Sequence, residues 1–132
     1  MRLRTSFVLA LLASGLACKS TTATSTPAYV GTYTLTMANG SPLPYTQTLN
    51  GVNFTLNSGT AQLFANGNWS AVLNVTPSFA SSTPSGTYTV SGSTITFTKS
   101  SDGSQNAGTY TNNTLTVVFS GSPPQTLTFT KN

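Results

Sequence analysis

The sequence predicts an all-β domain, an antiparallel up-and-down meander of eight or nine short strands closing into a barrel. Three observations carry this. From Val30 onward apolar side chains alternate with Thr or Ser, the period of a strand with one buried and one wetted face, and no segment keeps a helical period. The chain holds 26 threonines, β-branched residues suited to strands. Turn-forming residues recur at short intervals, at Asn39–Pro44, Asn57–Gly59, Asn66-Gly67, Ser91-Gly92, Lys99–Asn106, Asn112-Asn113 and Ser120–Pro124. Closure is the simplest way for consecutive hairpins to remove their unpaired edges. A β-sandwich uses similar strands and stands as the alternative. A transmembrane barrel needs strands of ~9–11 residues, and most segments here run five to seven.

Residues 1–17 read as a secretory signal. Arg2 and Arg4 are the charged head, Phe7–Leu12 the apolar middle, and Ala13–Ala17 a small or apolar stretch before the sole cysteine, Cys18. The apolar run is shorter than the ~20 residues of a membrane span. Ser14-Gly15-Leu16-Ala17-Cys18 resembles a bacterial lipobox, which implies cleavage before Cys18 and acyl chains on it as a membrane anchor. An ordinary signal followed by an incidental cysteine is the alternative. Lys19 follows, and the resemblance to lipoproteins of Gram-negative bacteria implies sorting to the outer membrane. Residues 18–29 are then the acylated cysteine and a flexible Thr/Ser-rich tether. The ten residues 19–28 have an r.m.s. span of about 17 Å and a reach of ~35 Å.

Residues 30–132 form the single domain. The predicted inner face carries Tyr33, Leu35 and Met37; Val52, Phe54 and Leu56; Trp69, Ala71, Leu73 and Val75. It continues with Tyr88, Val90, Ile95, Phe97, Tyr110, Leu115, Val117, Phe119, Leu127 and Phe129. The opposite face of the later strands is mostly threonine, from Thr87 to Thr130. A two-residue loop at Asn112-Asn113 sets Tyr110 opposite Leu115; one at Ser91-Gly92 sets Tyr88 opposite Ile95. At Asn66-Gly67 a two-residue loop pairs Phe64 with Trp69, and a four-residue loop brings in Leu63 instead. Pro77–Ser85 is the longest connection, with Phe79 as a portal or plug. Gly-Thr-Tyr-Thr recurs at 31–34, 86–89 and 108–111, with spacings too unequal for a solenoid.

Gly31-Thr-Tyr-Thr-Leu, Asn39-Gly-Ser-Pro-Leu-Pro44, Ser85 to Phe97 and Leu127-Thr-Phe-Thr-Lys131 together resemble small bacterial lipocalin-like lipoproteins. The resemblance implies a lipocalin-like barrel. Tyr33 stands where lipocalins carry Trp, and Lys131 near the position of their base-closing Arg.

The chain has no histidine, and Asp102 is its one carboxylate side chain. That excludes Ser-His-Asp and Cys-His constellations, paired-carboxylate hydrolysis and the common zinc and calcium sites, so neither catalysis nor a metal is expected. Asp102-Gly103 reads as a hairpin turn. No phosphate-binding loop is present and no cofactor is expected. After removal of residues 1–17 the net charge is +2, from Lys19, Lys99 and Lys131 against Asp102. Three scattered lysines make no nucleic-acid patch.

What remains is a cavity or a surface. Candidate cavity-lining residues are Tyr33, Phe54, Trp69, Tyr88, Phe97 and Tyr110, which either take a small apolar or amphipathic ligand in a monomeric barrel or simply fill its interior. The competing class is a structural or interaction module of the cell envelope that meets protein or polysaccharide through its Thr/Ser-rich outer face.

Overall fold

The computed structural model describes residues 24–78 and 81–132. Ten strands follow in order: β1 (Gly31–Ala38), β2 (Ser41–Pro42), β3 (Tyr45–Leu49), β4 (Val52–Leu63), β5 (Asn68–Thr76), β6 (Ser85–Ser91), β7 (Thr94–Lys99), β8 (Gln105–Thr111), β9 (Thr114–Phe119) and β10 (Gln125–Lys131). Each pairs antiparallel with its neighbour from β3 through β10, then β10 pairs with β1, and β1 pairs with β4. The circuit is an eight-stranded closed barrel with β2 and β3 as extra strands. Both sandwich sheets would have free edges; this sheet closes on itself.

The two extra strands have a definite place. β1 pairs with β4 only over Gly31–Thr34 against Thr60–Leu63. Beyond that the two strands part. β1 continues against β2 (Met37 opposite Pro42) and β4 continues against β3 (Tyr45 opposite Leu56). The barrel is therefore closed at one end and flared at the other.

Registers follow turn chemistry. Asn112 and Asn113 both have positive φ, 50° and 62°, and Tyr110 stands opposite Leu115 as the two-residue loop requires. The β6–β7 hairpin corrects the expected register. Its loop is Gly92-Ser93, with φ 62° at Gly92, and Tyr88 faces Phe97 while Ile95 faces Val90. Gly at the first loop position is what a type II′ turn requires. The shift is two residues, so every side chain keeps its face. At Asn66-Gly67 the longer loop forms: Phe64 N–H donates to Asn68 O at 2.9 Å and Leu63 pairs with Trp69. Leu63 is 1% exposed and Phe64 37%.

A bulge between Leu35 and Met37 corrects a second expectation. It turns Met37 out to 42% exposure and sets Ala38 inward at 0%. Val52, expected inside, is exposed at the start of β4. β4 and β5 exceed the expected length, with 12 and 9 residues. The core holds Tyr33, Leu35, Leu63, Trp69, Tyr88, Ile95, Phe97, Leu115, Val117, Leu127 and Phe129. Outside, threonines pair across strands: Thr94 with Thr109, Thr109 with Thr116, Thr116 with Thr128.

Candidate functional site

Barrel and loops divide the interior into a sealed base and an open cup. At the base lie the turns 64–67, 92–93 and 112–113, together with both ends of the domain. The three Gly-Thr-Tyr-Thr copies converge here. The Tyr33 hydroxyl donates to Tyr29 O. The Tyr88 hydroxyl donates to Phe64 O at 2.6 Å and that of Tyr110 to Ala28 O at 3.0 Å. Lys131 Nζ also donates to Ala28 O, at 2.5 Å. Tyr29 packs on the core, edge-to-face with Tyr88 at 6.0 Å, and Tyr33 meets Tyr110 the same way at 6.3 Å. A tyrosine brings a large apolar ring and one polar tip; the three tips each donate to a main-chain carbonyl, of which Phe64 O also accepts from Gly67 N–H at 3.1 Å and Ala28 O from Lys131. Burial, with the neighbouring tyrosines second, pushes the Tyr33 phenol far above its ordinary value, and burial raises Tyr88.

Above the base, Trp69 meets Phe97 edge-to-face at 5.5 Å and 80°, and its Nε1–H donates to Thr98 O at 3.4 Å. Gly86 makes room for this. A Cβ there would stand 1.8 Å from Thr98 O and 3.0 Å from Trp69 Nε1. A residual void of about 30 Å³ lies among Leu63, Trp69, Phe97, Leu115 and Phe129. Apart from Asn106 its lining is apolar.

The flared end holds two half-open lobes. The larger, about 730 Å³, lies between the end of the β5–β6 connection (Ser82, Ser85) and the β7–β8 turn (Lys99, Ser104), with Trp69 and Phe119 as apolar wall. The smaller, about 240 Å³, is walled by Phe54, Leu56, Leu73, Val75, Phe119 and Leu127. Its polar members are Tyr45, Gln47 and Gln125. Leu73 and Phe119 line both lobes.

A hydrogen-bond chain orders the rim of the smaller lobe. Asn39 Nδ2 donates to Tyr45 Oη at 3.1 Å and to Gln125 Oε1 at 3.0 Å, and Gln125 Nε2 donates to Gln47 Oε1 at 2.7 Å. Asn39 has φ 49°, which an asparagine tolerates, and its Oδ1 accepts from Thr126 N–H at 2.8 Å. Charge at the cup is balanced: Lys99 Nζ lies 3.6 Å from Asp102 Oδ2. Asp102 Oδ1 accepts from the Ser104 hydroxyl at 2.7 Å and the Ser104 N–H at 2.9 Å. The Ser104 bonds, with Lys99 adding to them, hold the carboxyl below its usual range. Among the described residues no three His, Cys, Asp or Glu side chains group as a metal site would need.

The candidate residues are thus split by depth. Trp69 lines the larger lobe and the void, Phe54 the smaller lobe, and Phe97 the void. Tyr33, Tyr88 and Tyr110 cap carbonyls at the base. Cys18 and Phe79 lie outside the described residues. Tyr45, Gln47 and Gln125 were not among the candidates. The signal for the first two was the alternation Tyr45-x-Gln47-x-Leu49 between Pro44 and the Asn50-Gly51 turn. Comparison with protein-family models, with curated proteins and with solved structures finds no match to this chain.

Proposed function

We propose that this chain is a non-enzymatic, lipid-anchored protein of the bacterial envelope whose lipocalin-like barrel binds one small apolar or amphipathic molecule at its flared end. The observation that carries the reading is the contrast between the two ends: rings and hydroxyls fill the base, while Phe54, Leu56, Val75 and Leu127 face an open lobe of about 240 Å³. An apolar cavity of ~150 Å³ takes a benzene-sized guest, and sites for larger ligands run ~300–1,000 Å³. The smaller lobe, about 240 Å³, exceeds the first figure, and the larger, about 730 Å³, falls within the second range.

Anchoring is the second part of the proposal. Acyl chains on Cys18 would hold the protein with ~0.8 kcal/mol per buried CH₂. Because Ala28 is fastened at the base, the tether would leave from the closed end, and the cup would open away from the membrane. The outer threonine rows favour a second reading, in which that face meets an envelope polymer or protein.

A neutral naphthylamine dye tests the binding reading. Saturable uptake at about one dye per folded chain, with energy transfer from Trp69, is the expected result. A folded protein that takes up no dye saturably removes the reading and leaves the outer face as the working surface. Loss of acyl labelling and of membrane fractionation in Cys18→Ser tests the anchor; retention of both overturns it.

A further inference from the structure

We infer that the ligand is a bipartite neutral amphiphile, with one alkyl chain in the smaller lobe and an uncharged, sugar-like polyhydroxylated head in the larger. The inference rests on the binding reading above and goes further, because it names the ligand's chemistry.

The two lobes adjoin across Leu73 and Phe119 but differ in lining. Around the smaller lobe six aliphatic or aromatic side chains face three uncharged polar ones, and Gln47 and Gln125 are already bonded to each other. That wall suits hydrocarbon. The larger lobe presents hydroxyls and amides from two loops, among them Ser82, Ser85, Ser104, Gln105 and Asn106, beside the indole of Trp69. A serine hydroxyl that donates once, as Ser104 does to Asp102, still has two acceptor lone pairs. Many weak donors and acceptors beside an aromatic face match a head bearing several hydroxyls. Carbon still makes up most of that wall, so a sugar-like head, with hydroxyl edges and apolar ring faces, fits it better than a second alkyl chain, whose burial would strip the serines and amides of water without replacement.

Charge decides the rest. Among the described residues Lys99 is the one charged residue lining either lobe, and Asp102 stands 3.6 Å from its amine. With its field offset by the adjacent carboxylate, that lysine neither attracts an anionic head nor repels a cationic one strongly, and an ionic head of either sign gives up its hydration on entry without a matching counter-charge. A neutral head loses nothing on either count.

The test compares amphiphiles of one chain length: octyl glucoside, octyl sulfate and octyltrimethylammonium. Each is titrated below its micelle concentration against protein purified from cells expressing the full chain, in detergent-free buffer. Trp69 fluorescence and displacement of the naphthylamine dye are the readouts. Octyl glucoside should bind at one per chain and at least ten-fold more tightly than either ionic analogue. Val75→Trp, which fills the smaller lobe, should abolish its binding, and Ser104→Leu should weaken it several-fold; both variants are checked for folding by circular dichroism. Equal or tighter binding of an ionic amphiphile overturns the inference while leaving the binding reading intact. Failure of all three amphiphiles and of the dye, with folded protein, removes both. The comparison of head groups uses the unmodified protein, so it stands even if a variant does not fold.

Discussion

The Tyr110 hydroxyl donates to the Ala28 carbonyl at 3.0 Å, across 82 residues of sequence. It ties the segment entering the barrel to β8, and Lys131 binds the same carbonyl from β10. Tyr33 holds the next carbonyl, that of Tyr29. The entering segment is therefore a plug with three separate fastenings. Tyr33→Phe should cost about 1–3 kcal/mol, because its hydroxyl is buried and its loss leaves a carbonyl unpaired. Tyr110→Phe should cost about 0.5–1 kcal/mol, since that carbonyl keeps Lys131. Urea unfolding gives both values. Equal costs would mean that the two hydroxyls do not differ in burial or in backup.

Alkaline pH should weaken the fold through the same tyrosines. Burial raises the folded-state values of Tyr33 and Tyr88 above the ordinary phenol value of ~10. Above pH ~10 the unfolded chain loses these protons and the folded chain retains them, so the folded state binds more protons and stability falls with rising pH. The contribution is complete below pH ~10 and is lost as pH climbs toward the folded values. Denaturant midpoints measured from pH 8 to 12 should fall, and Tyr33→Phe should flatten the fall. An equally steep decline in Tyr33→Phe would place the cause elsewhere.

Two inward glycines should differ in their tolerance of a methyl. At Gly108 an added Cβ meets Phe97 Cε2 at 2.8 Å, a ring edge that can shift. At Gly86 it meets Thr98 O at 1.8 Å, a main-chain atom of the paired strand. Gly108→Ala should cost about 1–3 kcal/mol as overpacking. Gly86→Ala should exceed that, because β6 must part from β7 to admit it. Thermal unfolding of the pair decides: a milder Gly86→Ala means that the Trp69 side of the barrel is looser than the structure shows.

Much of this barrel was legible in the alternation alone, since a strand buried on one face leaves no choice of orientation. Asn112-Asn113 also set its register, because both residues accept positive φ. Ser91-Gly92-Ser93 did not. Moving the loop by one residue shifts the register by two and keeps Tyr88 and Ile95 on the same face, so periodicity cannot separate the two loops. Met37 was read inward because a bulge is one inserted residue, invisible to a strict period of two. The cup was harder still. Leu56, Leu73 and Val75 alternate just as Leu115 and Val117 do, and the difference lies in what is absent opposite them. The unequal spacings of the recurring Gly-Thr-Tyr-Thr said nothing of a role; the structure gives its three tyrosines one shared task.

Trp69 and Phe54 separate packing from binding. Trp69 is buried, set edge-on to Phe97 and bonded to Thr98 O, yet part of its ring borders the larger lobe. Removing a large core ring costs ~3–5 kcal/mol. Where one side of the ring meets open space it has fewer partner atoms to lose, so Trp69→Ala should fall near the lower end, about 3 kcal/mol. Phe54 is half-buried on the wall of the smaller lobe, and Phe54→Ala should cost only about 1–2 kcal/mol. Binding should rank them the other way. Phe54→Ala removes wall from the alkyl lobe and should weaken octyl glucoside about ten-fold, whereas Trp69→Ala acts beside the head group and should weaken it less. Urea unfolding and dye displacement on the same two variants give both orders. If the more destabilised variant is also the weaker binder, loss of fold explains both effects and the division into base and cup fails.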